Sequence, residues 1–230
     1  MPRIARVVVP GIPHHITQRG NRREDVFFED DDRQHYLQLL LEYAARHGLK
    51  TVAYCLMRNH IHLVSIPERA DTLGSVFRPV DLRYTQYINW SHRISGRLWQ
   101  GRFFSCALDE EHFWAAIRYV ERNPVRAGIV RKAVDYPWSS AAAHCGLRSD
   151  AIVSALPAPV RVRTEDWSSW LAEKEDEKVV ATLRLHTRTG RPAGSKEFVA
   201  GLESRLGRRL QFRSIGRPRK NRTETVRDKL

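Results

Sequence analysis

Four short runs rich in apolar residues occur in the first half of the chain, at 12–18, 51–57, 60–66 and 102–108. Such runs, bounded by Gly, Pro or Asn, are typical of β-strands. The run TVAYCLM at 51–57 is apolar on both faces, which favours a central strand. Because only Arg58 and Asn59 separate it from the next run, these two strands are predicted to form a tight antiparallel hairpin.

Three longer segments carry apolar residues at helical spacing. The first begins at the acidic residues 30–32, which suit the positive end of a helix dipole, and ends at Gly48. The second covers 72–94 and contains Pro79, which is expected to kink or split it. The third follows the N-cap Asp109 and should stop at Asn123, because Pro124 disfavours helical geometry in the residue before it. Further helices are expected to begin at 136–140 and to cover 165–185.

The order strand, helix, strand, strand, helix, strand, helix is that of a split βαβ sheet. The predicted fold class is therefore α+β, a ferredoxin-like antiparallel sheet with added C-terminal helices and a basic tail. Three units are expected along the chain. Residues 1–148 form the body, residues 149–183 a partly helical connection, and residues 184–230 a basic, flexible tail that binds nucleic acid.

Positive charge is concentrated towards the C-terminal end. The chain has a formal net charge of +13 and a pI near 10.2. Residues 184–230 hold 14 Lys and Arg against 4 Asp and Glu, a net of +10, which leaves +3 for the first 183 residues. A nearly neutral body with a basic tail indicates a polyanionic partner. Nucleic acid is the leading candidate, because the tail has no amphipathic apolar face for a membrane.

Several protein classes are disfavoured by the sequence pattern. No apolar run approaches the ~18 residues that span a bilayer, and no signal-peptide stretch is expected near the start. The three cysteines are far apart and form no CxxC pair, so they fit neither a disulfide framework nor a zinc site. We therefore expect a cytoplasmic protein with no membrane partner.

Two histidines separated by one residue, His60 and His62, lie on the strand predicted at 60–66. Because successive side chains of a strand alternate, both imidazoles project from one face of the sheet. Two imidazoles on a rigid strand are half of a divalent-metal site. The alternative is one histidine in the core and one near the surface, which is the commoner origin of an isolated His-x-His.

Tyr119 and Asn123 are four residues apart on the third predicted helix and therefore share one of its faces. Beside two histidines, the amide oxygen of Asn123 could complete a set of metal ligands. The phenol of Tyr119 could then attack a phosphorus atom that the metal polarises. The alternative is a tyrosine at the edge of the core and an asparagine at a helix end.

Together these residues resemble the signature of the HUH single-strand transposases, and more narrowly that of the bacterial REP-associated tyrosine transposases, which are IS200-like. The resemblance extends over about the first 140 residues. Four segments carry it in the expected order: HITQRGNR at 15–22, MRNHIH at 57–62, WQGRF at 99–103 and YVERNPVRA at 119–127. Arg58 stands where the family pattern has Pro, which alters the turn and not the ligands.

The resemblance implies the HUH nuclease fold and metal-dependent cleavage of single-stranded DNA at the foot of a hairpin. It implies that Tyr119 forms a 5′-phosphotyrosine and that His60, His62 and Asn123 hold Mg²⁺ or Mn²⁺. The implied partners are single-stranded and hairpin DNA of repetitive extragenic palindromes, bound by a nucleoid-associated monomer or weak dimer. The rivals are an HUH replication or conjugation initiator and a catalytically silent hairpin-binding protein.

Candidate DNA contacts are basic, amide and aromatic side chains in three segments. They are Arg19, Asn21, Arg22 and Arg23, then Arg97, Trp99, Gln100 and Arg102, and finally Arg217 and Arg219 in an AT-hook-like stretch of the tail. Arginine suits phosphates and guanine edges, aromatic rings suit unstacked bases, and an Arg-Pro backbone suits a narrow minor groove. The alternatives are solvated surface charge, a core tryptophan and a disordered basic tail.

Overall fold

A computed structural model describes residues 6–157 and 166–211. Its centre is a four-stranded antiparallel sheet with the strand order β2-β3-β1-β4. The strands are β1 (His14–Arg19), β2 (Leu49–Met57), β3 (His60–Pro67) and β4 (Phe104–Ala107). One helix connects β1 to β2 and another connects β3 to β4, so the predicted ferredoxin-like α+β fold is confirmed. Arg217 and Arg219 lie outside the described residues.

The register of the strands decides which side chains share a face. β1 pairs with β3 so that Thr17 lies opposite His62 and Arg19 lies opposite His60. Because side chains alternate along each strand, His15, Thr17 and Arg19 project from the same face as the two histidines of β3. We call this side of the sheet the histidine face.

The opposite side of the sheet carries Ile16, Gln18, Ile61 and Leu63, and two long helices cover it. They are α1 (Asp30–His47) and α2 (Thr72–Ser91), and we call this side the α1/α2 face. The predicted ends of α1 are confirmed. Its last residue is followed by Gly48 at φ 69°, the left-handed conformation that favours glycine after a helix.

Pro79 lies inside α2 without dividing it, so the predicted split does not occur. Proline removes one backbone hydrogen bond from a helix interior and costs roughly 3 kcal/mol. The side chains of Val76, Phe77 and Val80 on either side of it are fully buried in the core beneath the helix. Burial of three large apolar side chains is enough to offset that cost.

The histidine face is covered by α3 (Glu110–Glu121), which is followed directly by the short α4 (Asn123–Arg126). Asp109 caps α3 as predicted, and its carboxylate accepts a hydrogen bond of 2.9 Å from the backbone N–H of His112. Pro124 lies in the first turn of α4, where its missing N–H removes no helical bond. Only Arg122, with φ −84° and ψ 0°, separates the end of α3 from the start of α4.

The C-terminal part of the described chain is helical and packed. It comprises α5 (Ala141–His144), α6 (Trp167–Ala172), α7 (Glu177–Thr189) and α8 (Lys196–Leu206). The single helix predicted at 165–185 is thus two helices, and the one predicted to begin at 136–140 begins at Ala141. In these described residues, no helix has the length and apolar character that crossing a membrane requires.

The prediction of a flexible tail that begins at Arg184 is wrong for residues 184–211. The helix α7 continues to Thr189 and contacts α3, β4 and β1 on the histidine face. Farther along, Leu202 and Leu210 are buried in a cluster with Val7 and Val9. These apolar residues find partners that are distant in sequence, which a local reading of charge does not detect.

Candidate active site

The two predicted ligand histidines lie side by side on β3, which is an inner strand of the sheet. The centroids of the His60 and His62 rings are 5.0 Å apart. Both Nδ1 atoms are engaged, since that of His60 lies 2.6 Å from Oδ1 of Asn59 and that of His62 lies 3.0 Å from Nε2 of His15. The Nε2 atoms are therefore left to bind a ligand.

The hydrogen bonds behind His62 define where its proton lies. Thr187 on α7 donates its hydroxyl hydrogen to the carbonyl oxygen of Leu183 at 2.8 Å. Its oxygen must therefore accept from Nδ1–H of His15 at 2.7 Å. His15 then has only Nε2 to accept with, so His62 donates its Nδ1–H. This His62–His15–Thr187 triad leaves Nε2 of His62 unprotonated, which is the form that binds a metal ion.

Burial keeps these imidazoles neutral. It lowers the pKa of His15 to about 3. Burial, with the charge of Arg19 as a smaller cause, lowers the pKa of His60 to about 4. Burial also lowers the pKa of His62 well below its usual value, and the neighbouring His15 and His60 add to the effect. Since a proton and a metal ion compete for the same nitrogen, neutral imidazoles at pH 7 favour metal binding.

Tyr119 on α3 faces the histidine pair. Its ring centroid lies 5.5 Å from that of His62, and the two ring planes are nearly perpendicular at 83°. The guanidinium carbon of Arg126 lies 4.2 Å from the centre of the tyrosine ring, and that of Arg184 lies 5.3 Å from it. The Nε atom of Arg184 is 3.4 Å from the phenol oxygen. Arg126 is also paired with Glu175 at 2.8 Å and donates to the carbonyl oxygen of Tyr119 at 2.8 Å, so Arg184 is the guanidinium group better placed to bind a phosphate beside the phenol.

Asn123 is the first residue of α4, and its side chain is buried. Its Nδ2 atom has no hydrogen-bond partner among the described residues. An amide nitrogen donates hydrogen bonds and does not bind a cation, so the atom of Asn123 that could bind a metal ion is Oδ1. Two imidazole nitrogens and one amide oxygen are a donor set that suits Mn²⁺ or Mg²⁺. Across residues 6–157 and 166–211, no group of three or more His, Cys, Asp or Glu is placed to hold a metal ion, so a site here depends on the amide.

The two body segments predicted to contact DNA lie next to each other. Gly20 forms a β-bridge with Trp99, and the backbone N–H of Gln100 donates to the carbonyl of Arg19 at 2.9 Å. The backbone N–H of Gly20 also donates to the carbonyl of Asn59 at 2.9 Å, which joins this surface to the hairpin of the histidines. The exposed side chains on it are Arg22, Arg23, Arg97, Gln100 and Arg102, with Arg19 and Asn21 partly buried.

Trp99 does not lie where a stacking platform for bases would lie. Its side chain is 7% exposed, and its ring packs against Tyr36 and Tyr84 in the core at centroid distances of 6.2 and 6.0 Å. The alternative interpretation, a core tryptophan, describes its position. Its indole N–H nevertheless has no hydrogen-bond partner in the described part of the chain.

Sequence reasoning missed His15, Thr187 and Arg184 as parts of this site. His15 could have been found, because strand alternation puts it on one face with Thr17 and Arg19. Thr187 and Arg184 carry no local signal. They belong to a helix that is far along the chain and reaches the site only through the tertiary fold.

Comparison with known proteins defines the class to which this chain belongs. The family model described as "Transposase IS200 like" matches residues 8–123, which is half of the chain. The chain therefore belongs to the IS200-like transposase family, a class of enzymes that act on DNA. The matched range includes His15, His60, His62, Tyr119 and Asn123 and ends before α7 begins.

Two individual proteins are similar to this chain. A curated protein of Haemophilus influenzae described as "Putative REP-associated tyrosine transposase" is 29% identical over 103 residues, which cover 40% of this chain and 58% of that protein. A solved structure of a REP-associated tyrosine transposase bound to a REP hairpin superposes with a TM-score of 0.55 at 18% identity. That superposition covers 69% of this chain and all of the other, and it agrees with the fold described above.

Proposed function

We propose that this chain is a REP-associated tyrosine transposase that cleaves single-stranded DNA at the foot of a hairpin and transfers the strand. That the chain is a transposase, an enzyme that acts on DNA, follows from its membership of the IS200-like family. The finer function is supported by the similar protein of Haemophilus influenzae and by the site geometry. The observation that carries the proposal is the position of His62 beside Tyr119, with ring centroids 5.5 Å apart and Nδ1 of His62 engaged by His15.

In this mechanism Tyr119 is the nucleophile. Its oxygen forms a bond to the phosphorus of the scissile phosphate while the bond from phosphorus to the 3′ oxygen breaks. The 3′ oxygen leaves as a hydroxyl with the proton that the phenol gave up, and the 5′ side stays attached to the protein as a phosphotyrosine. Because the phosphodiester energy is kept in that bond, the strand can be rejoined without a nucleotide cofactor.

His60, His62 and Asn123 are the residues that would hold a divalent metal ion, Mg²⁺ or Mn²⁺. When bound there, such an ion supplies positive charge that polarises a phosphate oxygen. The protein's own contribution is to keep both imidazoles neutral and correctly oriented, through Asn59 for His60 and through His15 for His62. Arg126 and Arg184, which lie beside the ring of Tyr119, would contribute positive charge near the phosphate.

Incubation of the protein with end-labelled hairpin DNA from the region that flanks its own gene tests this proposal. We expect a covalent protein–DNA band that forms with Mn²⁺ and is absent with EDTA. The same band with EDTA would show that the histidine pair is structural. An HUH replication or conjugation initiator would use similar groups at another substrate, so it would not cleave this hairpin DNA.

A catalytically silent hairpin-binding protein is the second candidate. The observation in its favour is the burial of Tyr119, which is 7% exposed and lies beneath Arg126 and Arg184. A phenol with so little exposed surface has limited access to a phosphate. Tight hairpin binding without any covalent band, in the presence of Mn²⁺, would decide for this candidate.

Three further properties belong to the same proposal. We infer a cytoplasmic, nucleoid-associated protein that acts as a monomer or weak dimer. The nuclease unit is proposed to be 1–148, with 149–183 as a connection and the nucleic-acid-binding region within 184–230. The position of α7 on the histidine face adds that this last unit also takes part in the site.

A further inference from the structure

A buried carboxylate lies close to the proposed nucleophile, at the end of α3. Glu121 is the last residue of that helix and has 0% of its surface exposed. Its neighbours Val120, in the chain, and Trp167, in space, belong to an apolar core cluster. An ionised side chain in such a place is costly unless hydrogen-bond donors surround it. The donors around Glu121 therefore show what it holds together.

Three side chains donate hydrogen bonds to this carboxylate. The hydroxyl of Ser140 and the Nδ1–H of His144 bond to Oε1, at 2.5 and 2.6 Å. The indole N–H of Trp167 bonds to Oε2 at 2.8 Å. Because an ionised carboxylate only accepts, all three partners must be donors. We call Glu121 and these three residues the Glu121 cluster.

Glu121 and Tyr119 point to opposite sides of α3. Successive residues of an α-helix are rotated by about 100°, so two residues along the chain correspond to about 200°. Glu121 therefore holds the side of the last helical turn that lies away from Tyr119. Asn123, the proposed metal ligand, follows two residues later at the start of α4. A rotation of this turn would displace the phenol and the amide together.

Ser140 connects the Glu121 cluster to the sheet. Its backbone N–H donates to the carbonyl oxygen of Tyr54, and its hydroxyl oxygen accepts from the N–H of Tyr54, both at 3.0 Å. Tyr54 lies on β2 beside Cys55, which is opposite His62 in the strand register. The end of α3 is thus joined, through one serine, to the part of the sheet that carries His62.

His144 and Trp167 connect the Glu121 cluster to the later helices. His144 is the last residue of α5, and Trp167 is the first residue of α6, which precedes the helix that supplies Arg184. The centroids of the two rings are 4.4 Å apart. All three donors come after residue 123, where the family match ends. The last turn of α3 is therefore held by segments outside the matched range.

We propose that Glu121 is a positioning residue for the transposase reaction, which fixes the rotation of α3 and thereby the place of the Tyr119 phenol beside His62. The inference rests on the proposed function for the reaction itself and adds a residue to it. Hydrogen bonds have preferred directions, whereas apolar burial is non-directional. Three bonds to one carboxylate therefore restrict the rotation of a helix more than apolar packing alone.

Stability alone does not require a carboxylate at this position. Replacement of a buried ion pair by apolar side chains of similar volume is often neutral or stabilising. A nucleophile, by contrast, needs accurate placement, since a displacement of ~1 Å can lower a rate about 100-fold. The two roles are separable, because a purely stabilising residue should not affect the rate of a protein that is folded.

The rate of adduct formation by the full chain in a single turnover, at saturating hairpin DNA and Mn²⁺, tests the proposal. Glu121→Met keeps the length of the side chain and removes all three bonds. We expect the rate to fall roughly 100-fold. The dissociation constant of the hairpin should stay unchanged, because the candidate DNA contacts lie elsewhere. Denaturant unfolding verifies that the variant is folded in the assay.

The matched control is Ile117→Val. Ile117 is fully buried, lies one helical turn before Glu121 on the same side of α3, and belongs to the same core cluster as Trp167. Loss of one methylene should lower the stability and leave the rate unchanged. Should Glu121→Met fail to fold, Glu121→Gln keeps the shape of the side chain and replaces one acceptor oxygen by a donor. We expect its rate to fall roughly 10-fold.

The outcomes separate this role from a structural one and from the proposed function. A wild-type rate in a folded Glu121→Met or Glu121→Gln protein, or an equal fall in Ile117→Val, would overturn the positioning role. Weaker hairpin binding with an unchanged rate at saturation would overturn it too and would place Glu121 in recognition. Absence of any adduct in the wild-type protein would reject the proposed function, and the positioning role with it.

Discussion

The two faces of the sheet differ in how most of their buried polar groups are paired, although Nδ2 of Asn123 beside the histidine face also has no partner in the described residues. On the histidine face, His62, His15 and Thr187 pair in series, and only the outward nitrogen is left over. On the α1/α2 face, Gln18, Asp81 and Trp99 each keep one atom without a partner in the described residues. A network paired in series holds a group in position before the substrate arrives. The paired triad therefore suits the histidine face for chemistry.

Loss of a histidine should have the largest effect. With His60→Ala or His62→Ala, one imidazole ligand disappears, so the rate of adduct formation should fall more than about 100-fold and recover little with added Mn²⁺. Binding of hairpin DNA should be retained, because the candidate DNA contacts in the segments 19–23 and 97–102 are unchanged. Gel assays of adduct and a binding titration measure the two quantities. An equal loss of adduct formation and of hairpin binding would show that the histidines are needed for binding as well as for cleavage.

Thr187→Val should have the next largest effect, because it removes the hydroxyl that sets the tautomer of His15. We expect Mn²⁺ affinity to fall about 10- to 100-fold, as found when groups behind a metal ligand are removed. Spectroscopic titration of Mn²⁺ measures this without any DNA, and Thr187→Ser should restore the affinity. The control is Thr189→Val, whose hydroxyl bonds only to carbonyls of its own helix. Equal effects of both valine variants would make the triad structural.

Asp81→Asn should change stability in a pH-dependent way. The folded-state pKa of Asp81 is about 7 against 3.8 when unfolded, so the unfolded state releases its proton first as pH rises. Wild-type stability is therefore lost between about pH 4 and pH 7 relative to the asparagine variant, which does not titrate. Above pH 7 the variant should be more stable by roughly 1–3 kcal/mol.

Denaturant unfolding at several pH values measures this difference. The groups that act on Asp81 or surround it are Gln18, Arg6, Tyr36, Arg78 and Arg102, and they are the same in both proteins. A constant difference across this pH range would show that Asp81 is paired and charged in the free protein.

Removal of residues 212–230 should have the smallest effect. This segment holds seven Lys and Arg against two Asp and Glu, so affinity should fall modestly and depend less steeply on salt. Adduct formation should survive, since the described parts of both faces are retained. Affinities measured over a salt series test the expectation, and an unchanged slope would remove the segment from the DNA contacts.

The local sequence pattern was enough to predict the strand and the helix ends that position the site. Alternation placed His60 and His62 on one face, and acidic residues and Gly48 marked the ends of α1. The fold followed from the order of these elements. Pro79 does not split α2, one of its two predicted effects, because packing of its neighbours outweighs a lost hydrogen bond.

The groups behind the site could not be predicted in this way. The bond between His15 and Thr187 joins residues 172 positions apart, and no periodicity extends over such a distance. The charge pattern predicted a flexible tail from residue 184 onward. In the structure, the first residues of that segment form the end of α7. Trp99 was assigned by residue type to stacking, although its ring belongs to the core.

The central claim is that Tyr119 on the histidine face is the nucleophile. The most direct measurement is mass spectrometry of the covalent adduct after digestion, with the Tyr119→Phe protein as the control. The account predicts a nucleotide attached to the peptide that contains Tyr119, and no adduct in a folded Tyr119→Phe protein that still binds the hairpin. A nucleotide on Tyr84 or Tyr87 of α2, or an adduct that persists in Tyr119→Phe, would contradict it.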